Sequence, residues 1–270
     1  MGEVNPAFIQ AEEHRPKLTV SEAEGIPLID LSILFNSPES PNPNAIEPLV
    51  AEIGEACRTW GFFQIINHGV PLELRQKLEL TSKKFFALPV EEKRKVKRDD
   101  INPLGYSDAE HTKNVRDWKE VFDVTVNDPI FLPASPEPGD ESLRKLVNRW
   151  PDYPPEFREA FEEYAKEIEK LSYRLLELIS LSLGLPANRL NGFFDHHASL
   201  IRVNRYPPCP IPDVALGVGR HKDGGALTIL AQDEVGGLEV KRKADGEWIR
   251  VRPTPDAYIV NLGDIIQVPI

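Results

Sequence analysis

The feature that most constrains the fold is a series of short apolar runs in the last quarter of the chain. Runs rich in Val, Ile and Leu follow one another at about ten-residue spacing after residue 198. The pairs Gly236-Gly237 and Asp245-Gly246 lie between runs and are typical of hairpin turns. Several short strands at this spacing predict a sandwich, barrel or jelly roll. The predicted strands are 199–206, 226–232, 238–243, 247–252, 257–262 and 265–270.

The preceding residues are mostly helical in pattern. The longest predicted helix is Pro155–Leu183, where apolar residues keep a three-to-four residue period and Gly184 follows the last turn. A second helix is predicted over 46–60, and Pro71 is well placed to begin a third. A helical first part followed by a β second part indicates an α+β protein. Strands are also predicted at 26–31, 62–68 and 118–126.

Charge and composition exclude several classes of protein. The net charge of −11 and the pI near 5.1 argue against nucleic acid or an anionic membrane as a partner. We find no apolar run of about 18 residues and no signal segment, and Cys57 and Cys209 fit reduced thiols, so we expect a cytoplasmic protein. The 25 prolines indicate many connections, and we predict loops at 36–44 and 129–139.

The first chemical feature is the pair His221 and Asp223, two positions apart. In an extended strand, side chains at i and i+2 point to the same face. An imidazole and a carboxylate projecting together are two of the three protein ligands in the 2-His-1-carboxylate site of non-haem iron(II). A surface histidine near a turn is the alternative, and the pair by itself does not decide between them.

A second feature is a polar stripe formed by Arg202, Asn204 and Tyr206, which alternate along one predicted strand and so share a face. A cation, an amide and a phenol on one face could bind a carboxylate. An ordinary polar outer face is the alternative. We interpret His68 and the tandem pair His196-His197 as structural.

The flanking segments give the pair a family context. Tyr206-Pro207-Pro208-Cys209-Pro210, His221-Lys222-Asp223, Leu227-Thr228-Ile229-Leu230 and Gly236-Gly237-Leu238 resemble segments of the plant iron(II)/2-oxoglutarate-dependent dioxygenases, which include anthocyanidin synthase, flavonol synthase and the gibberellin oxidases. Near the N-terminus, residues 26–31 and 60–69 are similar to the opening segments of that family. The resemblance extends over nearly the whole chain from about residue 25.

The resemblance implies a double-stranded β-helix (jelly-roll) core with flanking helices. It implies that His221 and Asp223 bind iron(II), that Asn204 and Tyr206 contact 2-oxoglutarate, and that Arg202 faces the same cavity, towards substrate. The implied reaction decarboxylates 2-oxoglutarate to succinate and CO₂ and, with O₂, hydroxylates or desaturates a small organic metabolite.

The chain departs from the family pattern after Asp223. The family has a second iron-binding His some tens of residues later, and then an Arg-x-Ser segment that pairs with 2-oxoglutarate. No His follows His221, and the sequence ends at Val268-Pro269-Ile270. We therefore expect a C-terminally truncated member that lacks the last strands. Three interpretations stay open: a family dioxygenase, a catalytically inactive truncated isoform, and a non-enzymatic jelly-roll module that binds a small molecule.

The predicted organisation is an N-terminal arm over 1–25, a dioxygenase N-terminal region over 26–130, a loop and long central helix over 131–196, and a partial jelly roll over 197–270. The resemblance favours a monomer. Three aromatic residues are candidate substrate contacts that would suit an apolar molecule, although each could equally belong to the core: Tyr106, Phe122 and Phe131.

Overall fold

The structure, a computed structural model, describes residues 5–16, 21–22, 26–35, 43–135, 137, 139–195 and 197–266. The chain divides into two compact units, each assembled from three stretches of sequence. The first unit contains the described residues within Met1–Lys17, Glu73–Lys166 and His196–His221, and the second unit contains those within Leu18–Leu72, Glu167–Asp195 and Lys222–Ile270.

The α-helices form where apolar residues recur every three or four positions. The longest, α4, is an amphipathic helix whose first ten residues belong to the first unit and whose remainder belongs to the second. Its inner face carries Phe157, Phe161, Leu171, Leu175 and Ile179, all of which are buried. The four α-helices of the described residues are α1 (Pro43–Thr59), α2 (Leu72–Phe86), α3 (Val90–Arg94) and α4 (Phe157–Ser182).

Fourteen strands are found in the described residues. In chain order they are β1 (Ser21–Glu22), β2 (Leu28–Asp30), β3 (Phe62–Ile66), β4 (Gly105–Ser107), β5 (His111–Thr112), β6 (Val115–Arg116), β7 (Glu120–Thr125), β8 (Ile130–Pro133), β9 (Leu143–Leu146), β10 (Leu200–Arg205), β11 (Leu227–Leu230), β12 (Glu239–Lys241), β13 (Trp248–Arg250) and β14 (Tyr258–Leu262).

The sheet of the first unit has the strand order β10-β7-β4, accompanied by the hairpins β5-β6 and β8-β9. Strands β10 and β7 are antiparallel, with Arg202 opposite Asp123 and Asn204 opposite Val121. An aromatic cluster fills the core of this unit. Phe85 and Phe122 contact each other with ring centroids 5.0 Å apart, and each also contacts Phe157 of α4.

The second unit has one sheet in the order β11-β14-β3-β2 and another in the order β1-β13-β12. Strand β14 is buried along most of its length and pairs antiparallel with β11 on one side and β3 on the other. In the β11-β14 register, Thr228 lies opposite Asn261. This pairing brings two polar side chains into an otherwise apolar region.

Most of the predicted elements are confirmed. The long helix, the helices near residues 46 and 71, and the predicted strands up to residue 262 are all present with ends shifted by a few residues. The hairpin at Asp245-Gly246 is present between β12 and β13, with Gly246 at a φ of 75°. The strand predicted at 265–270 is not assigned at Ile265 and Ile266, and its remaining residues lie outside the described part of the chain.

One loop prediction is wrong. The proline-rich segment 129–139 contains strand β8, which pairs with β9 and so satisfies its backbone groups despite Pro129 and Pro133. The described part of the predicted N-terminal arm, residues 5–16, is docked within the first unit: the Phe8 ring packs 4.7 Å from Trp118, and the amide of Gln10 donates to Val214. The predicted 36–44 loop falls mainly outside the described residues, and α1 begins at Pro43.

Candidate metal centre

His221 lies at the boundary of the first unit, in a segment without regular secondary structure. The extended strand that we considered for the His221–Asp223 segment is not formed. The imidazole Nδ1 lies 2.9 Å from the carbonyl oxygen of Gly219. A carbonyl oxygen only accepts hydrogen bonds, so Nδ1 carries a proton, and in the neutral ring the lone pair is on Nε2. The local backbone therefore selects the nitrogen that can bind a metal.

Asp223 belongs to the second unit, where two side chains hold one of its carboxylate oxygens. The Thr228 hydroxyl donates to Oδ2 at 2.7 Å, and the Asn261 amide donates to the same atom at 2.8 Å. Thr228 and Asn261 are the cross-strand pair of β11 and β14. Both donors approach one oxygen, so they fix the plane of the carboxylate.

The backbone around Asp223 continues the pairing between β11 and β14. The amide of Asp264 donates to the carbonyl of Asp223 at 2.8 Å, and the amide of Gly263 donates to Ala226 at 3.0 Å. Gly263 lies so close to this segment that an added Cβ would be 2.0 Å from the carbonyl oxygen of Gly225. Only glycine fits at this position without moving the backbone that carries Asp223.

The polar stripe of the first unit is present on β10, where Arg202 and Asn204 alternate along the strand and Tyr206 follows its end. Arg202 makes a bidentate ion pair with the buried Asp123, with distances of 2.6 and 2.7 Å, and also reaches Glu110 at 3.2 Å. The Asp123 hydrogen bonds raise the pKa of Arg202. Its guanidinium thus has protein partners, and a contact with substrate stays a prediction.

Asn204 and Tyr206 are the predicted contacts for 2-oxoglutarate. Asn204 is exposed on β10, and Tyr206 is 53% exposed. One face of the Tyr206 ring packs on Gly217, where an added Cβ would be 2.7 Å from the ring. Burial of the phenol, with the negative charge of Asp117 second, raises the pKa of Tyr206 to about 12. The phenol is therefore a neutral hydrogen-bond donor near pH 7.

The three candidate aromatic contacts lie in different environments. Tyr106 and Phe122 are completely buried in the first unit, as the core alternative predicts. The Tyr106 hydroxyl donates to Glu120 at 2.7 Å. Burial, and to a lesser extent this hydrogen bond, raise the pKa of the Tyr106 phenol. Phe131, on β8, is 55% exposed. Tyr106 and Phe122 are cross-strand partners of β4 and β7, whereas Phe131 belongs to the hairpin β8-β9.

Two of the remaining histidines near the predicted motifs have hydrogen-bond partners in the protein. His68 is buried, its Nε2 lies 2.8 Å from the carbonyl oxygen of Asp256, and its Nδ1 accepts from the amide of Val70, which confirms a structural role. His197 Nδ1 accepts from Ser199 at 3.3 Å. His196 lies outside the described residues.

The donor chemistry of His221 and Asp223 fits iron(II), which takes imidazole nitrogen and carboxylate oxygen as ligands. The neutral tautomer with its lone pair on Nε2 and the carboxylate held at one oxygen are the states that such a metal requires. No cluster of three or more His, Cys, Asp or Glu side chains suited to a metal ion occurs among the residues that the structure describes.

Sequence reasoning overlooked Thr228 and Asn261, although Thr228 stands inside a segment that carries the family resemblance. Their signal was a polar side chain in a buried strand: Asn261 is 7% exposed within the apolar β14. A buried amide needs a partner, and that requirement could have directed attention to a nearby carboxylate.

Two family models match most of the chain. Residues 26–153 match the family described as non-haem dioxygenase in morphine synthesis N-terminal, and residues 197–268 match the 2OG-Fe(II) oxygenase superfamily. Among the helices of the described residues, none is long and apolar enough to cross a membrane.

Curated relatives cover nearly all of this chain. Jasmonate-induced oxygenase 2 of Arabidopsis thaliana is 37% identical over 268 residues, which are 97% of this chain and 67% of that protein. Oxoglutarate-dependent flavonoid 7-O-demethylase 1 of Ocimum basilicum is 36% identical over 266 residues, 97% of this chain and 66% of that protein. The chain spans about two thirds of the length of the relatives it matches.

Solved structures show the same fold. A crystal structure of JOX2 in complex with 2OG, Fe and JA has a TM-score of 0.78 and 34% identity, covering 99% of this chain and 71% of that one. The dioxygenase for auxin oxidation 1 from Arabidopsis thaliana, in a complex with 2-oxoglutarate, has a TM-score of 0.65 and 28% identity, covering 90% and 82%. This likeness confirms the predicted α+β jelly-roll class.

Proposed function

Since the chain belongs to the plant iron(II)/2-oxoglutarate-dependent oxygenases, we propose that it binds iron(II) through His221 and Asp223 and serves the 2-oxoglutarate-dependent oxidation of a small organic metabolite. The observation that supports the metal assignment is that hydrogen bonds orient both proposed ligand side chains. Gly219 fixes the tautomer of His221, and Thr228 and Asn261 hold Asp223. That this chain lacks the family's second iron-binding His and its Arg-x-Ser segment stays a prediction.

The residues of this chain have distinct tasks in this proposal. When bound, iron(II) with 2-oxoglutarate and O₂ supplies the oxidising chemistry, which releases succinate and CO₂. His221 presents Nε2 and Asp223 presents a carboxylate oxygen to the metal. Asn204 and Tyr206 donate hydrogen bonds to 2-oxoglutarate. Tyr206 keeps its proton near pH 7, as an ordinary tyrosine does, and burial raises its pKa further.

The substrate proposal is less specific. Two relatives are named for flavonoids, the flavonoid 7-O-demethylase 1 of Ocimum basilicum and flavanone 3-dioxygenase 2 of Oryza sativa subsp. japonica. Aromatic small molecules of that kind are therefore the first compounds to test. We propose that nucleic acid is not a partner, since the chain is acidic, with a net charge of −11. A monomer is the expected state, to be measured by light scattering.

The decisive experiment is a calorimetric titration of the metal-free protein with iron(II) under argon, followed by a succinate assay. His221→Ala and Asp223→Asn should each lower the iron affinity by at least about 10–100-fold, because even loss of an outer partner costs that much. His111→Ala and Asp213→Asn are the matched controls, since both residues are exposed.

The outcomes separate the three open interpretations. Iron-dependent succinate release supports an active oxygenase. Iron binding by the wild-type protein that the two ligand substitutions abolish, without succinate release, supports the inactive isoform. Binding of 2-oxoglutarate or an aromatic compound that needs no metal supports the binding module. Iron affinity unchanged in both ligand variants would contradict the metal assignment.

A further inference from the structure

Two consecutive residues, Asp117 and Trp118, hold the loop that precedes His221. All of these residues belong to the first unit. Three hydrogen bonds, each from a different group, connect these two residues to the loop at Pro207, Leu216 and Gly219. The Trp118 amide donates to the Leu216 carbonyl at 2.9 Å, the Trp118 indole Nε1 donates to the Pro207 carbonyl at 3.0 Å, and the Gly219 amide donates to Asp117 Oδ1 at 3.1 Å.

The Asp117 side chain is itself fixed within the first unit. Its carboxylate is 1% exposed, its Oδ2 accepts from the Thr112 hydroxyl at 2.9 Å, and Lys119 Nζ lies 3.4 Å away. The Lys119 side chain is also buried, at 5% exposure. A buried carboxylate is costly unless it is paired and hydrogen-bonded, so these contacts leave it few alternative orientations.

Gly219 connects the Asp117 carboxylate to the His221 imidazole through hydrogen bonds of its backbone. Its amide donates to Asp117, and its carbonyl oxygen accepts the Nδ1 proton of His221 at 2.9 Å. An added Cβ on Gly219 would lie 2.9 Å from the Cβ and Cγ2 atoms of Thr112. The close approach that joins the loop to the hairpin β5-β6 therefore depends on glycine at this position.

We propose that Asp117 is a positioning residue for His221, acting through the backbone of Gly219 to keep the imidazole proton on Nδ1 and the lone pair on Nε2. The inference deepens the proposed function, because it assigns the support of one proposed iron ligand to a carboxylate 104 positions earlier in the chain. Thr112 and Lys119 keep that carboxylate in place.

The direct test is the tautomer of His221, read from the nitrogen-15 shifts of its ring in the metal-free protein at about pH 9, where an ordinary imidazole is neutral. The wild-type protein should show the Nδ1-protonated form. Asp117→Ala removes the acceptor of the Gly219 amide and should give a mixture of tautomers. Asp117→Asn keeps an acceptor oxygen and should restore the wild-type form in large part.

Asp213→Ala is the matched control, because Asp213 is an exposed carboxylate on the same loop. It should leave the His221 tautomer unchanged. A single Nδ1-protonated form retained in Asp117→Ala would overturn the proposal, and so would an equal mixture in the Asp213→Ala protein.

Hydrogen exchange of the Gly219 amide tests the same contact without depending on a substitution. In the wild-type protein this amide should exchange at least about tenfold more slowly than an exposed glycine amide, the effect expected for a hydrogen bond to a charged acceptor. Exchange at the exposed rate would overturn the proposal even if Asp117→Ala failed to fold.

The final arm measures iron affinity. Asp117→Ala should lower it by about 10–100-fold, as expected for the loss of an outer partner, whereas Asp213→Ala should not. If the wild-type protein bound no iron, the proposed function would fail, but the tautomer and exchange measurements would still decide the role of Asp117.

Discussion

Replacing Thr228 by valine tests how Asp223 is held, because it removes a single hydrogen bond and little else. The Thr228 hydroxyl donates to Asp223 Oδ2 at 2.7 Å, and valine has nearly the same shape without the hydroxyl. Thr228 lies on β11, where a β-branched side chain suits the strand. The backbone pairing with β14 should therefore persist, and the carboxylate should retain only the Asn261 amide as a donor to that oxygen.

The expected magnitude follows from the charge and partial burial of the contact. A hydrogen bond to a charged group contributes about 1.5–3 kcal/mol. Because the contact is only partly buried and Asn261 still donates to the same oxygen, we expect the lower end of that range, about 1.5 kcal/mol. The free energy of unfolding of the metal-free protein should fall by about that amount. The iron affinity should fall roughly tenfold, the lower end of the effect of losing an outer partner of a metal ligand.

The measurement combines urea unfolding of the metal-free protein with calorimetric titration of iron(II). Thr254→Val is the matched control, since Thr254 is a half-buried threonine of the same unit whose hydroxyl does not contact Asp223. Asn261→Ala and the double variant with Thr228→Val complete a cycle. The two donors share one acceptor atom, so a coupling energy of about 0.5 kcal/mol or more is expected.

Three results would refute this reasoning. One is an iron affinity of Thr228→Val within a factor of two of the wild-type value, roughly 0.4 kcal/mol. Another is an equal loss in Thr254→Val, which would indicate a general effect of the added methyl group. The third is strict additivity in the cycle, because that would mean that Thr228 and Asn261 act on different groups.

Three further predictions concern other parts of the chain. Gly263→Ala should destabilise the fold by about 1–3 kcal/mol in urea unfolding, because its Cβ would strike the Gly225 carbonyl, and an unchanged midpoint would contradict the close approach. Asp123→Ala should cost about 3 kcal/mol because it leaves the Arg202 guanidinium without its main partner, and a loss below about 1 kcal/mol would show that this pair is dispensable. Burial raises the pKa of Cys57 to about 11, so in a Cys209→Ser background its alkylation rate should rise about tenfold per pH unit from pH 8 to 10, whereas a plateau below pH 10 would contradict the shift.

Elements with a strong internal pattern could be predicted from the sequence. The apolar period predicts helix α4 to within two residues at its start and one at its end, because a three-to-four residue period over 26 residues has no competing structure. The short strands after residue 198 were found from their spacing and their turn glycines. Strand β8 was missed because its prolines indicate a loop, whereas pairing with β9 stabilises it as a strand.

Pairwise contacts between distant residues could not be predicted in the same way. Asp223 and Asn261 are 38 positions apart in sequence, yet their side chains form a hydrogen bond. The register of β11 with β14 brings them together. The ion pair of Arg202 with Asp123 likewise depends on the register of β10 with β7. A one-residue slip in either pair would turn these side chains to the opposite face, so no local pattern contains the information.

Different kinds of group orient the two proposed ligands, so different substitutions should disturb them. Asp223 is held by side chains, so a single isosteric substitution at Thr228 is enough to loosen it. His221 is held by a backbone carbonyl, which no substitution of Gly219 removes. A substitution can therefore change the orientation of the imidazole through the groups that hold the Gly219 backbone. Asp117, a buried carboxylate, is such a group. Asp117→Ala should therefore change the His221 tautomer and leave the Thr228 contact intact, whereas Thr228→Val should do the reverse.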